Sequence, residues 1–125
     1  MSARVWITMG AMLAGLGVAA GAFGAHVLKD RLSAPQLDNF EVAVRYQLYH
    51  ALALILLGLA SRGSGWGQAA GWSFVTGIVL FSGCLYGYVL TGQKPLVHMV
   101  PVGGLAFILG WIAFAVAAWK TRTGF

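Results

Sequence analysis

The chain alternates between long apolar stretches and short polar segments, and this pattern predicts four membrane-spanning helices. A helix rises about 1.5 Å per residue, so roughly 20 apolar residues cross a hydrocarbon core about 30 Å thick. The sequence therefore predicts an all-α membrane protein in which residues 1–125 form a single compact four-helix bundle. The approximate spans are residues 5–25, 43–61, 68–91 and 100–119.

Small residues recur at spacings of three and four along the first and fourth predicted helices. Stripes of this kind let two membrane helices approach closely. Arg4 before the first apolar stretch also fits a signal peptide, but a cleaved peptide has no use for a packing stripe, so we expect a retained helix. The predicted packing residues are Gly10, Gly17, Gly21, Gly24, Gly103 and Gly110.

The second predicted helix begins with polar residues. Ser33 and Gln36 have the spacing of a capping box, and Pro35 suits a first helical turn, so this helix is expected to start near Ala34. Its first part should lie at the membrane interface. A rotation of about 100° per residue gives an outer face with Asp38, Glu41, Arg45, Leu48, Leu52, Leu56 and Leu59. The opposite face, predicted to face the bundle, carries Asn39, Ala43, Tyr46, Gln47, His50, Leu54 and Gly58.

Composition supports lipid as the solvent. Of the 125 residues, 59% are hydrophobic and 9% are charged, whereas about a quarter are charged in a soluble domain. The net charge of +5 comes from scattered basic residues, which suit phosphate headgroups better than nucleic acid. Cys84 is the single cysteine of the sequence, which excludes an intrachain disulfide and a cysteine-based zinc site.

The two ends of the predicted bundle differ in their aromatic residues. Tryptophans lie toward the end that holds both termini and resemble an interfacial belt, with Trp111 alone placed deeper. Tyrosines and histidines lie toward the other end. The belt consists of Trp6, Trp66, Trp72 and Trp119; the opposite set consists of His26, His50, His98, Tyr46, Tyr49, Tyr86 and Tyr88.

Membrane orientation depends on a near tie between the basic residues of the two ends. Arg4, Arg62, Lys120 and Arg122 lie on the terminal side, and Lys29, Arg31, Arg45 and Lys94 lie on the other. Arg45 has the spacing for a helical ion pair with Glu41, and discounting it favours cytoplasmic termini.

The polar residues of the histidine end are the candidate site, and they allow two interpretations. One is structural: the side chains hydrogen-bond one another and fasten the helices. The other is a ligand site: either a metal or haem bound by His26, His50 and His98, or a quinone or small polar ligand held between the first, second and fourth helices at Tyr46, Gln47 and His50. The spacing fixes no ligand geometry, which favours the structural interpretation. The candidate residues are His26, Tyr46, Gln47, His50 and His98.

Other chemistry finds little support in the sequence. No predicted span carries an acidic residue, as a proton-coupled exporter would require. Catalytic motifs and paired carboxylates are missing as well, so we expect a protein that is not an enzyme and has neither cofactor nor metal.

Four segments resemble the domain of unknown function 423 family, which includes eukaryotic transmembrane protein 256. They are GAFGAH at residues 21–26, VRYQLYHALAL at 44–54, FSGCLYGYVLTG at 81–92 and PVGGLAFILGW at 101–111. The family often has serine where this chain has Cys84. The resemblance implies a small integral membrane protein with about four helices, and it brings no reaction and no catalytic residues.

The sequence favours a non-catalytic accessory or scaffold protein of the bacterial inner membrane. Glycine stripes on two helices offer more close-packing surface than four helices need, which leaves some for another subunit or a second copy. The alternative is a carrier that binds a ligand or cofactor at the histidine and tyrosine end. The lipid bilayer is the first expected partner, and nucleic acid is not expected.

Overall fold

In the computed structural model, which describes residues 1–60 and 63–120, four long helices dominate. A 3-10 turn at Leu28–Asp30 joins the first two helices, and a helical turn at Lys94–Val97 precedes the last. Each of the four spans is long and apolar enough to cross a membrane. The helices are α1 (Ala3–His26), α2 (Ala34–Ala60), α3 (Gly65–Thr91) and α4 (Val100–Lys120).

Side-chain caps fix where the helices begin. The Ser33 N–H donates to Gln36 Oε1 at 2.9 Å, and the Gln36 N–H donates to Ser33 Oγ at 3.3 Å. This confirms the predicted capping box and the start of α2 at Ala34. Ser64 caps α3 by accepting from the Gly67 N–H at 3.0 Å. The caps satisfy backbone donors that a helix start otherwise leaves free.

The helices are arranged as two hairpins. α1 packs mainly on α2, and α3 packs mainly on α4, while α2 and α3 meet in the middle. α1 and α4 have little direct contact. The predicted ligand site between the first, second and fourth helices therefore lacks a close contact of α1 with α4.

Glycines of α1 bring the first hairpin together. Gly10, Gly17 and Gly24 are buried. A Cβ atom at Gly10 would lie 2.6 Å from the backbone oxygen of Ala51 in α2, so only glycine fits there. This stripe of α1 faces α2.

Leu48 belongs to this interface and not to the lipid-facing stripe that the helical wheel predicted. A Cβ atom at Gly17 would lie 2.8 Å from Leu48 Cδ2. Gly21 is less confined, since its nearest neighbour would be Val44 Cγ1 at 3.4 Å. α2 is rotated so that its wheel position at Leu48 meets α1, whereas Leu52 remains exposed.

The second hairpin contains a π-helical segment, Ile78–Gly83, inside α3. Gly103 of α4 lies against it: a Cβ atom there would lie 2.8 Å from the backbone carbon of Leu80 and would overlap the Phe81 nitrogen. Gly110 faces the Phe74 ring in the same way, at 2.7 Å. π-helical turns insert one residue into a helix and are frequent at functional sites.

Trp6 lies in the core, and its predicted place in the tryptophan belt is wrong. Its side chain is 0% exposed and packs edge-on against Trp72, with ring centroids 5.7 Å apart. A Cβ atom at Gly71 would overlap the Trp6 ring, so this glycine makes the space. The indole N–H has no hydrogen-bond partner within the described residues. Trp66, Trp72 and Trp119 are exposed, as a belt requires.

One end of the bundle is closed by contacts between the ends of its helices. The Met1 ammonium donates to Gln68 Oε1, and Gln68 Nε2 donates to the Met1 carbonyl at 2.6 Å. Lys120 Nζ lies 5.5 Å from the centre of the Trp66 ring. The starts of α1 and α3 and the end of α4 therefore share one end. Arg62 and Arg122, which were expected there, lie outside the described residues.

Candidate functional site

His50 lies near the middle of α2 and is 3% exposed. The Trp111 Nε1–H donates to His50 Nε2 at 3.0 Å. An indole nitrogen can only donate, so His50 Nε2 is the acceptor and carries no hydrogen. The hydrogen of the neutral ring is then on Nδ1, which donates to the Tyr46 carbonyl at 2.7 Å. Both ring nitrogens are engaged, and this pair is a polar link between α2 and α4.

Aromatic rings surround this link. The His50 ring stacks on Phe107, with centroids 3.5 Å apart and planes 9° apart. Tyr46 is nearly parallel to both rings, at 13° to His50 and 17° to Phe107. The Tyr46 centroid is 4.8 Å from that of Phe81. The rings of Tyr46, His50 and Phe107 therefore form a parallel stack at the boundary of α2 and α4.

Gln47 joins three helices one turn before His50. Its Nε2 donates to the Leu13 carbonyl of α1 at 2.8 Å. Its Oε1 accepts from the Tyr86 hydroxyl of α3 at 2.7 Å. An amide has a donor and an acceptor end, and Gln47 uses both.

Ser82 links the π-helical segment to α2. Its hydroxyl donates to the Ala43 carbonyl at 2.7 Å, and the side chain is 0% exposed. Because a buried hydroxyl without a partner is unfavourable in an apolar core, this bond fixes the rotation of the segment against α2.

The structure divides the predicted candidate residues. Gln47 and His50 point into the bundle, whereas Tyr46 is 36% exposed at its edge, contrary to the wheel. His26 and His98 are exposed, and His50 is bonded to Tyr46 and Trp111 instead of to them. In residues 1–60 and 63–120, no group of three or more His, Cys, Asp or Glu side chains is placed to hold a metal ion.

Sequence reasoning missed several residues of this region. Trp111 carried a weak signal, because it is the one tryptophan placed away from the helix ends. Tyr86 carried one as a member of the tyrosine and histidine set, whereas Ser82 and Phe107 carried none that separates them from ordinary helix residues. Their roles depend on the relative rotation of the helices, which a single-helix wheel cannot give.

A groove of about 820 Å³ runs between α2 and α4 on the outside of the bundle. Its walls include the exposed side chains of Leu105 and Ile108, so it opens sideways toward lipid. Among the residues that the structure describes, no charged side chain lines it. We call it the aromatic groove; it is lined by Tyr46, Tyr49, His50, Phe81, Pro101, Gly104, Leu105, Phe107, Ile108 and Trp111.

Comparison with known proteins identifies the family. A profile described as "Protein of unknown function (DUF423)" matches residues 20–104. The chain belongs to the DUF423 family. This confirms the resemblance seen in the sequence, and the matched region includes the whole of α2 and α3.

Relatives extend the match to nearly the whole DUF423 chain. UPF0382 membrane protein SAB0533 of Staphylococcus aureus (strain bovine RF122 / ET3-1) is 42% identical over 121 residues, which cover 94% of this chain and 97% of the relative. UPF0382 membrane protein YwdK of Bacillus subtilis (strain 168) is 44% identical over 120 residues, 94% and 98% of the two chains. No solved structure matches the chain. These names agree with the four apolar helices and confirm an all-α membrane protein.

Proposed function

We propose that this DUF423 protein is a non-catalytic accessory protein that binds a membrane-soluble amphiphile in the aromatic groove. The observation that carries the proposal is the groove itself. Its volume of about 820 Å³ is within the range of roughly 300–1,000 Å³ typical of small-molecule sites. Its sideways opening lets a molecule enter from the bilayer without crossing water.

The hydrogen bonds of the interior support a role without catalysis. Both nitrogens of His50 and both ends of the Gln47 amide are engaged in bonds between or along helices. In the described ranges, these groups serve packing and are not free to act on a substrate. A metal or haem at His50 would have to displace Trp111 from Nε2.

The glycine stripes no longer argue for a partner subunit. Gly10 lies against α2, and Gly103 lies against α3, so both stripes are used within the hairpins. The two stripes therefore do not indicate another subunit or a second copy. The aromatic groove is lined mainly by aromatic side chains, and we favour a small amphiphile as its occupant.

We place the protein in the bacterial inner membrane with cytoplasmic termini. The bacterial relatives named as membrane proteins support the location. Arg45 supports this orientation. It is exposed and lies inside α2, which begins at Ala34, so it does not belong with the loop residues Lys29 and Arg31. Without Arg45, more basic residues lie on the side of the termini, which the positive-inside rule places in the cytoplasm.

The proposal is tested by filling the groove. Gly104 lines it, and a Cβ atom there has its nearest neighbour at 3.8 Å, in the Phe81 ring, so Gly104→Leu should fill the groove without disturbing the bundle. Gly15→Leu is the matched control, because Gly15 has open space around it on α1. The parent and both variants are purified in a mild detergent, and the bound small molecules are identified by mass spectrometry.

We expect an amphiphile retained by the parent and by Gly15→Leu and lost from Gly104→Leu, with unfolding unchanged. If the same molecules accompany all three proteins, the groove is not a binding site. If a stoichiometric protein partner is retained instead and lost only from Gly104→Leu, the groove is a subunit interface and ligand binding is refuted.

A further inference from the structure

We infer that the amphiphile is a neutral quinone: a flat ring that carries carbonyl acceptors and continues into a long apolar tail. This inference rests on the proposed function and names the class of molecule that the aromatic groove selects. Charge, hydrogen-bonding capacity and shape each restrict the ligand in turn.

The charge of the groove selects a neutral headgroup. Within residues 1–60 and 63–120, no charged side chain is among its lining residues. Arg45, the nearest basic residue along α2, lines a different surface groove between α1 and α2, together with Glu41 and Gly21. An anionic headgroup in the aromatic groove would lose its hydration without gaining a partner, which is unfavourable. Phospholipids with a net charge therefore fit poorly.

The polar groups of the groove select a hydrogen-bond acceptor. Tyr46 and Tyr49 line it, and within residues 1–60 and 63–120 neither hydroxyl is hydrogen-bonded to the protein. His50 and Trp111 offer nothing further, because they are bonded to each other and to the Tyr46 carbonyl. The free donors are thus phenolic hydroxyls, and a carbonyl oxygen in an apolar setting is a suitable acceptor for them.

The shape of the groove selects a flat ring. Tyr46, which is 36% exposed, lies within 17° of parallel to the stacked and buried rings of His50 and Phe107, so a flat ring set against Tyr46 in the same orientation would extend a parallel stack. A flat conjugated ring can join such a stack in an offset arrangement, which a flexible glycerol backbone cannot do.

The length of the groove accommodates a headgroup and the beginning of a tail. Its lining on α4 extends from Pro101 to Trp111, and ten residues of helix span about 15 Å. The rest of a long tail would leave through the open side between Leu105 and Ile108 into the bilayer.

The test compares two probes that both carry a flat six-membered carbon ring and the same decyl tail. The full-length protein is placed in nanodiscs of zwitterionic lipid and equilibrated with decyl-benzoquinone or with decylbenzene, which lacks the carbonyl groups. Retained probe is quantified by chromatography after subtraction of empty nanodiscs. The variants are Tyr46→Phe and Tyr49→Phe, with Tyr88→Phe as matched control, because Tyr88 lines a separate pocket near Pro35.

We expect the parent to bind the quinone, and each loss of a groove hydroxyl to weaken binding about fivefold, as one neutral hydrogen bond implies. Tyr88→Phe should bind like the parent, and decylbenzene should bind more weakly and without sensitivity to the tyrosine variants. Equal binding of the two probes to the parent, or quinone binding unaffected by both variants, overturns the quinone class.

The same measurements separate this inference from the proposed function. A different neutral amphiphile that is retained by the parent and lost from Gly104→Leu overturns the quinone class and leaves groove binding intact. Retention of no molecule by the parent refutes both.

Discussion

Gln47 shows how a single side chain can hold several membrane helices. It contacts the Leu13 carbonyl of α1 and the Tyr86 hydroxyl of α3 from its position on α2. In lipid, an amide without partners is unfavourable, so these bonds specify the rotation of all three helices. Polar bonds between membrane helices are worth roughly 0.6–2 kcal/mol each.

A double-mutant cycle tests this role. We expect Gln47→Leu to lower the free energy of unfolding by about 1–2 kcal/mol, and Tyr86→Phe to lower it by less, because Tyr86 makes only one of the two Gln47 bonds. The coupling between the two substitutions should be about 0.6–1.7 kcal/mol. Unfolding is followed in mixed micelles of increasing SDS content. Strictly additive effects would contradict a direct bond.

Residue-level prediction from the sequence succeeded where one helix was sufficient. The helical wheel of α2 places Gln47 and His50 inward, which agrees with their burial. It fails at Tyr46 and Leu48, because each lies at the boundary of a face and α2 has neighbours on two sides. Trp111 was not predicted as the partner of His50, since that requires the rotation of α4 relative to α2.

At the scale of elements, the π-helical segment Ile78–Gly83 determines how α3 meets α4. Its backbone at Leu80 and Phe81 faces Gly103 so closely that a side chain has no room. The sequence of α3 predicts an ordinary helix there, because a π-turn leaves no mark in the hydrophobic pattern and depends on bonds such as that from Ser82 to Ala43.

Adjacent glycines of α4 provide a matched test of this contact. Gly103→Ala should destabilise the protein by about 1–3 kcal/mol, because the new methyl group meets backbone that cannot move aside. Gly104→Ala should be nearly neutral, because its Cβ atom would be 3.8 Å from the nearest neighbour. The measurement is again SDS-induced unfolding. Equal losses of unfolding free energy in the two variants would contradict the close contact between α3 and α4.

A second matched pair tests the α1 stripe. Gly10→Ala places a methyl group against the Ala51 backbone oxygen, whereas Gly15→Ala meets open space. We expect the first variant to lose about 1–3 kcal/mol of unfolding free energy and the second to behave like the parent. If thermal melting in detergent does not distinguish them, α1 does not pack on α2 through this stripe.

At the scale of the whole molecule, the four-span arrangement follows from the sequence, but the grouping of helices does not. Apolar length alone predicts the number of spans. The contacts of Met1 with Gln68 and of Lys120 with Trp66 bring the starts of α1 and α3 and the end of α4 to one end of the bundle, as an even number of spans requires. Nothing in the hydrophobic pattern reveals that α1 and α4 lie apart, because that depends on which glycine stripe meets which helix.

Single cysteines test the topology in a Cys84→Ser background. Ser2→Cys and Ser64→Cys should be accessible from one side of the membrane, and Lys29→Cys and Lys94→Cys should be accessible from the other side. With cytoplasmic termini, a membrane-impermeant maleimide added to intact cells should label only the two lysine positions. Labelling of one lysine position together with Ser64→Cys would contradict the four-span arrangement.

The contacts within each hairpin differ in kind from the contacts between the two hairpins, and this difference bears on the order in which the protein assembles. Within a hairpin the helices meet mainly through glycines, whereas the bonds from Tyr86 to Gln47, Ser82 to Ala43 and Trp111 to His50 all cross between hairpins. α1 and α2 can therefore pair as soon as both have left the ribosome. Until α3 and α4 follow, the acceptors of Gln47 and His50 face lipid unpaired, and this unfavourable state draws the second hairpin onto the first. We therefore expect the two pairs to dock last, and the aromatic groove between α2 and α4 to form only at that step.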